Sequence, residues 1–592
     1  MSQPAPDPLT NAFAAYRRGD AADCIDTLEK HRAFWTDRPD GWLVRGAAAR
    51  ALGRLAEAES AYLQAIALLP GYPEAWQNLG NLYAMCGKHE AAVNAFGKAL
   101  DGRSEPDVRA QLFTAQSASA FSAGQIDLAL KALEEAATLA PDSAPVHNQR
   151  GKVYWELGHT DGAIDAFRRA SALDPAEPLY AVNYLLVSQF SERMEEADLA
   201  ALAAAAARRV AQSVPEALRD AYRPPALAPG QRIRVAYLSS DFRQSAPGFF
   251  ITSILEGHDR TRFEVWALST SPVTDALSDR MKASVDHWVD VSKVPVPALV
   301  EWIRAQSIQV LVDLNGYTGG HRLGVFAARS APVQVTWLGY EGPTQIPHMD
   351  VFLGDPHVSP PATHACYRER VVTLPYDFAC YTAPDYAPGV APTPALRNGF
   401  VTFGSFNKLA KVGPRTLDLW ARVLAAVPES RLLIKWRHAG HPFARNRILQ
   451  ALESRGIDGT RVGFRDASPH PEMLAEYGDV DVALDPTPFS GGATTCDALW
   501  MGVPVVTLAG RRFASNHTVS HLLAAGLPEL VARDADGYVA VCRNLAADVS
   551  ALDRLRQSLR EQVRHSPLCQ SRFFMRPVER HFAALVDDAL RT

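Results

Sequence analysis

The sequence predicts two architectures in one chain: an α-helical repeat array first, then a doubly wound α/β region in two lobes. Three observations carry this. Trp, Gly, Ala and aromatic positions recur at a 34-residue period over the first third of the chain. Short apolar runs alternate with helical segments from Ile233 onward. A Pro-rich stretch, TAPDYAPGVAPTPALRNG (Thr382 to Gly399), interrupts that alternation and divides it in two. The predicted boundaries are 1–178 for the repeats, 179–230 for a helical transition and linker, and 231–382 for the first lobe. An interlobe segment takes 383–399, and the second lobe with the C-terminal helices takes 400–592.

The repeats come first. Trp42, Gly46, Ala58, Tyr62 and Ala65 return 34 residues later as Trp76, Gly80, Ala92, Phe96 and Ala99. Another copy gives Gly151, Tyr154, Ala163, Phe167, Ala170 and Pro175. A looser one holds Ala129, Leu133, Ala136 and Pro141, displaced by an insertion near Gly102 to Pro106. This is the tetratricopeptide period. Small residues let paired helices approach, large ones fill the gap, and Pro closes each hairpin. A weaker unit, Ala12 to Leu28, caps the array. Such an array offers a concave groove for a peptide; a scaffold or oligomerisation surface is the alternative. Leu179 to Val214 is helical and alanine-rich, and RPPALAPGQ (Arg223 to Gln231) is a boundary linker by its prolines.

The first lobe opens with IRVAYLSSDF from Ile233, then a helix from about Phe249. Phe263–Leu268, Val289–Val291, Val310–Leu314 and Val333–Trp337 are further strands, with a helix at Pro297–Gln306. The second lobe repeats the pattern with Phe400–Phe403, Leu432–Lys435, Val462–Phe464, Val482–Leu484 and Val505–Leu508. Two such lobes predict a ligand cleft at the carboxyl ends of their strands. The last helices, near Ser550–Arg564 and Met575–Leu590, are placed to cross back over the first lobe.

Within this frame Leu484 to Gly510, LDPTPFSGGATTCDALWMGVPVVTLAG, reads as strand, loop, helix, turn, strand. Ser490, Gly491 and Gly492 leave a loop of small residues. Thr494 and Thr495 fit the start of a helix, whose free N–H groups and dipole favour an anion. Asp497 follows in the first turn. This is a phosphate cradle in physical terms, although a Gly-Gly loop alone also suits an ordinary βα turn.

Composition excludes several classes. Hydrophobic content is 47%, charged content 21% and formal net charge −5, so nothing points to nucleic acid. Seven scattered cysteines without CxxC spacing argue for a reducing compartment and against a zinc site. No apolar run reaches membrane-spanning length and the N-terminus lacks a signal-peptide pattern, so a cytoplasmic location is expected. Asp479-Val480-Asp481 forms a DxD, but it enters a strand and reads as structural. His517 and His521, at helical spacing, read as structural or cleft-lining rather than metal ligands.

Four segments together resemble the O-linked N-acetylglucosamine transferase and SPINDLY family. They are SSDFRQSAPGFF (Ser239 to Phe250), LVDLNGYTGGHR through QVTWLGYEG (Leu311 to Gly342), FGSFNKLAKVGPRTLDLW (Phe403 to Trp420) and the Leu484 to Gly510 stretch. The order of repeats and lobes matches as well, and bacterial members, some of which modify flagellin, look nearest. The resemblance implies a GT-B, inverting glycosyltransferase that needs neither metal nor cofactor. It would move a sugar from a nucleotide donor to Ser or Thr of a protein held by the repeats. Lys411 falls on the family's essential lysine at the donor diphosphate, a role that suits a fixed ammonium. Asn407 is expected to shape that loop. Gly492, Ala493 and Thr494 match the diphosphate-binding helix start, with Gly491 and Thr495 beside them as further donor-binding candidates, and Asp497 matches the ribose-binding acid. Asp241, after a strand, is placed to orient an acceptor hydroxyl or take its proton; capping the next turn is the equal alternative. Asn315 and Tyr317 are expected in the cleft.

The departures from the family pattern are local. Ser245 stands where members usually carry a His near the reacting centre, and a serine is no base near neutral pH. Met473 aligns with a His near the nucleotide base. Gly342-Pro343-Thr344-Gln345 replaces a Gly-Thr-Thr/Ser-Gly turn. These changes, expected near the donor site, suggest a donor other than UDP-N-acetylglucosamine. A CMP-linked nonulosonic acid with flagellin as acceptor is the leading expectation, and UDP-N-acetylglucosamine the alternative. A non-catalytic repeat scaffold and a transferase acting on a small molecule or lipid complete the readings.

Overall fold

The computed structural model describes residues 7–219, 222 and 230–591. These form two compact units, one of residues 1–154 and 165–174, the other of residues 155–164 and 175–592.

The first unit is built of helical hairpins. Pro8–Arg17 pairs with Ala21–Lys30, Pro39–Ala51 with Leu55–Leu68, Pro73–Met85 with His89–Asp101, and Pro106–Ser122 with Ile126–Leu139. Proline stands at the start of the first helix in each of these pairs, where its missing N–H costs nothing. The recurrent glycine has a steric cause. A Cβ on Gly46 would lie 2.5 Å from the Tyr62 ring, and one on Gly80 would lie 2.8 Å from Phe96. At Gly151 the corresponding clash is with Phe167 at 2.7 Å. Each glycine is therefore the socket for the aromatic of its partner helix. The insertion near Gly102 shows as a longer first helix, 17 residues at Pro106–Ser122 against 13 at Pro73–Met85.

The second unit holds two parallel sheets. The first comprises β1 (Ile233–Ser239), β2 (Phe263–Ser269), β3 (His287–Asp290), β4 (Val310–Asp313), β5 (Val333–Thr336), β6 (Val351–Gly354) and β7 (Arg370–Thr373), in the order β3-β2-β1-β4-β5-β6-β7. The second comprises β8 (Thr402–Ser405), β9 (Arg431–Lys435), β10 (Val462–Arg465), β11 (Val482–Leu484), β12 (Val505–Leu508) and β13 (Val531–Ala532), in the order β10-β9-β8-β11-β12-β13. Central strands such as β4, β5 and β12 are buried along their whole length, as parallel sheets covered on both faces require. Three strands escape the sequence reading. β6 is only four residues long, β7 is a half-exposed edge, and β13 has two residues.

The helical segment Leu179 to Val214 comprises two helices, Pro178–Ser188 and Glu196–Gln212, the second opened by a capping box between Glu195 and Asp198. Both pack against Leu238, Trp266 and Leu311, so they belong to the core of the first lobe. The final helix, Ser571–Arg591, places Phe574, Met575, Val578 and Phe582 in the other core layer of that lobe, beside Val235 and Val312. Residues 571–591 thus cross back and pack with the first lobe. Most of the Arg223 to Gln231 linker lies outside the described residues. Among the described residues, no helix is long and apolar enough to cross a membrane.

Candidate active site

In the second sheet the strand order reverses at β8, between β9 on one side and β11 on the other. Loops leaving adjacent strands at such a switch point diverge and open a crevice. The loop after β8 carries Asn407, Lys408 and Lys411; the loop after β11 carries Gly492, Ala493 and Thr494. These line a cavity of about 290 Å³ whose opposite wall comes from the first lobe. Pro247 and Phe250 reach it after β1, and Leu338 and Glu341 after β5. Every wall segment follows the carboxyl end of a strand.

Lys411 is the cation of this cavity. Its Nζ donates to the carbonyl of Ser490 at 2.7 Å and sits 4.5 Å from the centre of the Phe489 ring. The ammonium is therefore tied to the small-residue loop that the sequence marks as a phosphate cradle. Burial pulls its pKa down to about 8, with Asp485 and Glu341 working in the opposite direction. Lys408 is positioned differently. It pairs with Glu156 at 2.6 Å and lies 3.9 Å from the Trp155 ring, so its ammonium is already engaged.

Glu341 faces this lysine field from the first lobe. Burial raises its carboxyl to about 7, while the Lys411 charge lowers it. The site thus places an acid and an ammonium, each shifted toward neutrality, around one cavity. Such groups mark sites of proton transfer and charge stabilisation.

The loop after β11 is held from beneath. Asp485, at the end of β11, accepts from the Gly491 N–H at 2.7 Å and from the Thr507 hydroxyl at 2.6 Å. A Cβ on Gly491 would lie 2.3 Å from Oγ1 of Thr495, whereas the space over Gly492 is open to 4 Å. Gly491 is therefore needed for packing, and Gly492 leaves room for a ligand to approach the backbone. Thr494 donates to Oδ1 of Asn407 at 3.1 Å, joining the two loops, and Thr495 is bonded to Thr518 at 2.8 Å.

Of the residues singled out in the sequence, Lys411, Asn407, Gly492, Ala493 and Thr494 meet at the cavity, with Gly491 and Thr495 directly behind them. The others lie off its walls. Asp497 is only 3% exposed, and its carboxylate already accepts from the Tyr381 hydroxyl at 2.5 Å and contacts His470 at 3.3 Å. Asp241 accepts from Asn315 Nδ2 at 3.0 Å, and Asn315 also holds the Ser240 N–H at 2.8 Å. These two therefore brace each other where the loop leaves β1. Ser245 caps the helix Ala246–Gly257 by accepting from the Gly248 N–H at 3.1 Å. Tyr317 is corrected outright: it is buried in the first-lobe core, where its hydroxyl donates to the Thr344 carbonyl at 2.6 Å. Met473 packs against the interlobe core. An imidazole does stand on its helix, but three residues earlier. His470 lies against Phe249, 5.1 Å between ring centres, and is bonded to Tyr386 at 2.7 Å. The DxD is structural: Asp481 accepts from the Thr402 and Ala395 N–H groups at 2.7 and 2.9 Å.

Sequence reasoning missed Glu341 and left two histidines between a structural and a cleft-lining role. Glu341 sits inside the quoted WLGYEG segment, where an acid in an apolar run was the available signal. His517 and His521 both border the cavity, and the Nε2 of each is buried with no hydrogen-bond partner among the described residues. Burial, then the Lys411 charge, holds the His517 pKa far below the imidazole range, so it faces the cavity neutral. His521 is oriented by Asp377, 2.8 Å from its Nδ1.

The comparisons with known proteins converge on this region. The model for Glycosyl transferase family 41 matches residues 198–382 and 393–578, more than half of the chain. The chain belongs to that family. Tetratricopeptide repeat models match residues 10–73, 61–94 and 120–183. The Arabidopsis thaliana protein named probable UDP-N-acetylglucosamine–peptide N-acetylglucosaminyltransferase SPINDLY is 41% identical over 355 residues, 58% of this chain and 38% of that protein. The Caenorhabditis elegans UDP-N-acetylglucosamine–peptide N-acetylglucosaminyltransferase is 27% identical over 446 residues, 55% of this chain and 38% of that protein. The family 41 chain described here therefore spans well under half the length of these curated relatives. A solved mutant of Thermobaculum terrenum O-GlcNAc transferase shares 33% identity and superposes with a TM-score of 0.77, covering 93% of this chain and 98% of that one.

Proposed function

We propose that this family 41 chain transfers a sugar from a nucleotide-sugar donor to Ser or Thr hydroxyls of a protein, with inversion at the anomeric carbon. The observation that carries the reading is the meeting of Lys411 with the Gly491–Thr495 loop at the second sheet's switch point. In the proposed step the acceptor oxygen attacks the anomeric carbon from the face opposite the phosphate. The O–H bond breaks and a glycosidic C–O bond forms, while the bond from the sugar to the phosphate oxygen breaks. Glu341, as its carboxylate, takes the hydroxyl proton. Lys411 stabilises the charge gained by the departing phosphate, together with the N–H groups at the start of the Ala493–Trp500 helix. Asp241 stays in the account as an orienting residue through Asn315, and Asp497 as a ribose-side acid that would have to exchange a present partner. In this reading Lys411 meets the charge to be stabilised, and no metal is proposed.

The donor reading changes with the comparisons. Both curated relatives described above carry UDP-N-acetylglucosamine in their names. We therefore place UDP-N-acetylglucosamine first and the CMP-linked donor second. The peptide acceptor named for those relatives suits the helical repeats as its holding surface. A non-catalytic scaffold is disfavoured, because a degenerate site has no reason to keep a buried lysine on an open phosphate loop. A thermal-shift screen of the full chain against UDP-, GDP- and CMP-sugars tests the donor, since a ligand bound to the native state raises the midpoint. Transfer to protein by the stabilising donor supports the proposal; stabilisation without any turnover would leave a binding protein instead.

A further inference from the structure

A second cavity, of about 600 Å³, lies in the first lobe and shares no wall residue with the donor cavity. It is formed by the segment Gly257–Arg262 ahead of β2 and by one face of the final helix. Arg260, Arg262, Arg572, Arg576 and Arg580 line it, with Glu579 on its floor. We propose that this pocket binds a small anion carrying two or more phosphate groups.

The chain as a whole is acidic, at −5, so five guanidinium groups around one cavity do not reflect its bulk composition. Arg572, Arg576 and Arg580 stand at i, i+4 and i+8, where like charges share one helix face and repel. All three are exposed, and none has an ion-pair partner among the described residues. The neighbouring arginines show the contrast. Arg232 and Arg234 reach Glu264, and Arg232 and Arg260 share Asp286. The two acids in the cavity wall are already engaged. Glu579 is 4% exposed and holds His258 Nδ1 at 2.9 Å and the Asp259 N–H at 2.8 Å. Asp259 is occupied by the Thr261 N–H and hydroxyl, at 3.0 and 2.6 Å. Arg260 keeps a buried Nε without a partner. Three exposed guanidinium groups without ion-pair partners among the described residues therefore border a roomy pocket, and the guanidinium fork matches phosphate geometry.

The spacing sets the ligand. Eight residues of helix advance roughly 12 Å, too far for one phosphate to reach both ends of the stripe. A polyphosphate chain or a multiply phosphorylated headgroup spans it. Free and lipid-borne sources share this chemistry, so the test includes both.

The full chain is titrated calorimetrically with inorganic tripolyphosphate at constant ionic strength. With the donor cavity filled by saturating UDP, the expected result is saturable binding at one site, weakened at least about tenfold in the triple variant Arg572→Gln, Arg576→Gln, Arg580→Gln. The variant's melting midpoint and donor turnover should stay at wild-type values. Tripolyphosphate binding should also persist in Lys411→Ala, which separates this pocket from the donor cavity. Co-sedimentation with phosphatidylcholine vesicles containing cardiolipin, whose headgroup carries two phosphates, tells a membrane source from a free one. Absent or non-saturable binding, affinity unchanged in the triple variant, or affinity lost in Lys411→Ala would each overturn the proposal.

Discussion

Glu341→Gln isolates the proposed proton acceptor, because it keeps the side chain's size and removes only its ability to take a proton. In the native chain the carboxyl is poised at about 7 and Lys411 at about 8. Activity needs Glu341 deprotonated and Lys411 protonated. It should therefore rise with pH through the first value, fall through the second, and peak between them as a narrow bell. Loss of a positioned general base costs about 10²- to 10⁴-fold in rate. The substitution should also move the other limb. The Glu341 charge raises the Lys411 pKa, so removing it lets the ammonium lose its proton earlier and shifts the alkaline limb to lower pH. The reciprocal variant, Lys411→Met, removes a charge that lowers Glu341 and should carry the acid limb upward in whatever activity remains. The assay is nucleotide release at limiting donor, from about pH 6 to about pH 9, which reports the free enzyme's groups. If Glu341→Gln retained wild-type rates and an unmoved acid limb, the proton would go elsewhere, with Asp241 the next group to test.

Two further outcomes follow from the packing. His517→Phe keeps a ring among Phe378, Phe489 and Phe513 but deletes the unpartnered Nε2 at the cavity. Donor affinity measured by calorimetry should fall roughly 3- to 10-fold, the worth of one hydrogen bond, with little change in melting midpoint; unchanged affinity would make the ring mere packing. Gly80→Ala would force a methyl to within 2.8 Å of Phe96 and should destabilise the repeats by about 1–3 kcal/mol in a denaturant titration followed by circular dichroism. Wild-type stability there would mean that the 34-residue glycine is not a steric socket.

Much of the fold was readable because its signals are periodic. The Gly46–Tyr62 and Gly80–Phe96 pairs appear in the sequence as a repeat and in space as contacts. Buried strands such as β1 carry an apolar run, Val235 to Leu238. The signal fails where elements are short or half-exposed, as in β7 and β13, since two to four residues hold too little pattern to separate strand from loop. In the site, the Gly491–Thr495 stretch was legible because its residue types are tied to a βα turn, whereas Lys411 was picked out by the family resemblance. Asp497, Asn315 and Tyr317 were legible as unusual residues but not as to direction: Asn315 and Tyr317 follow the end of β4, Asp497 lies in the helix Ala493–Trp500, and tertiary packing decides which way each side chain faces. Tyr317 turned inward to the Thr344 carbonyl, whereas Glu341 turned to the cavity. Only the facing lobe makes such an acid meaningful, and that lobe is more than sixty residues away in sequence, on the loop that carries Lys411.

The central claim is that the interlobe cavity holds a nucleotide sugar with its leaving phosphate against Lys411. Single-turnover nucleotide release by the full chain, at saturating UDP-N-acetylglucosamine and with a protein acceptor, tests it most directly when wild type is set beside Lys411→Ala. The account predicts sugar on acceptor Ser or Thr by mass spectrometry, stoichiometric with nucleotide released, and a rate lower by about 10²-fold or more in the variant while the fold is kept. A Lys411→Ala protein that releases nucleotide at the wild-type rate would contradict it.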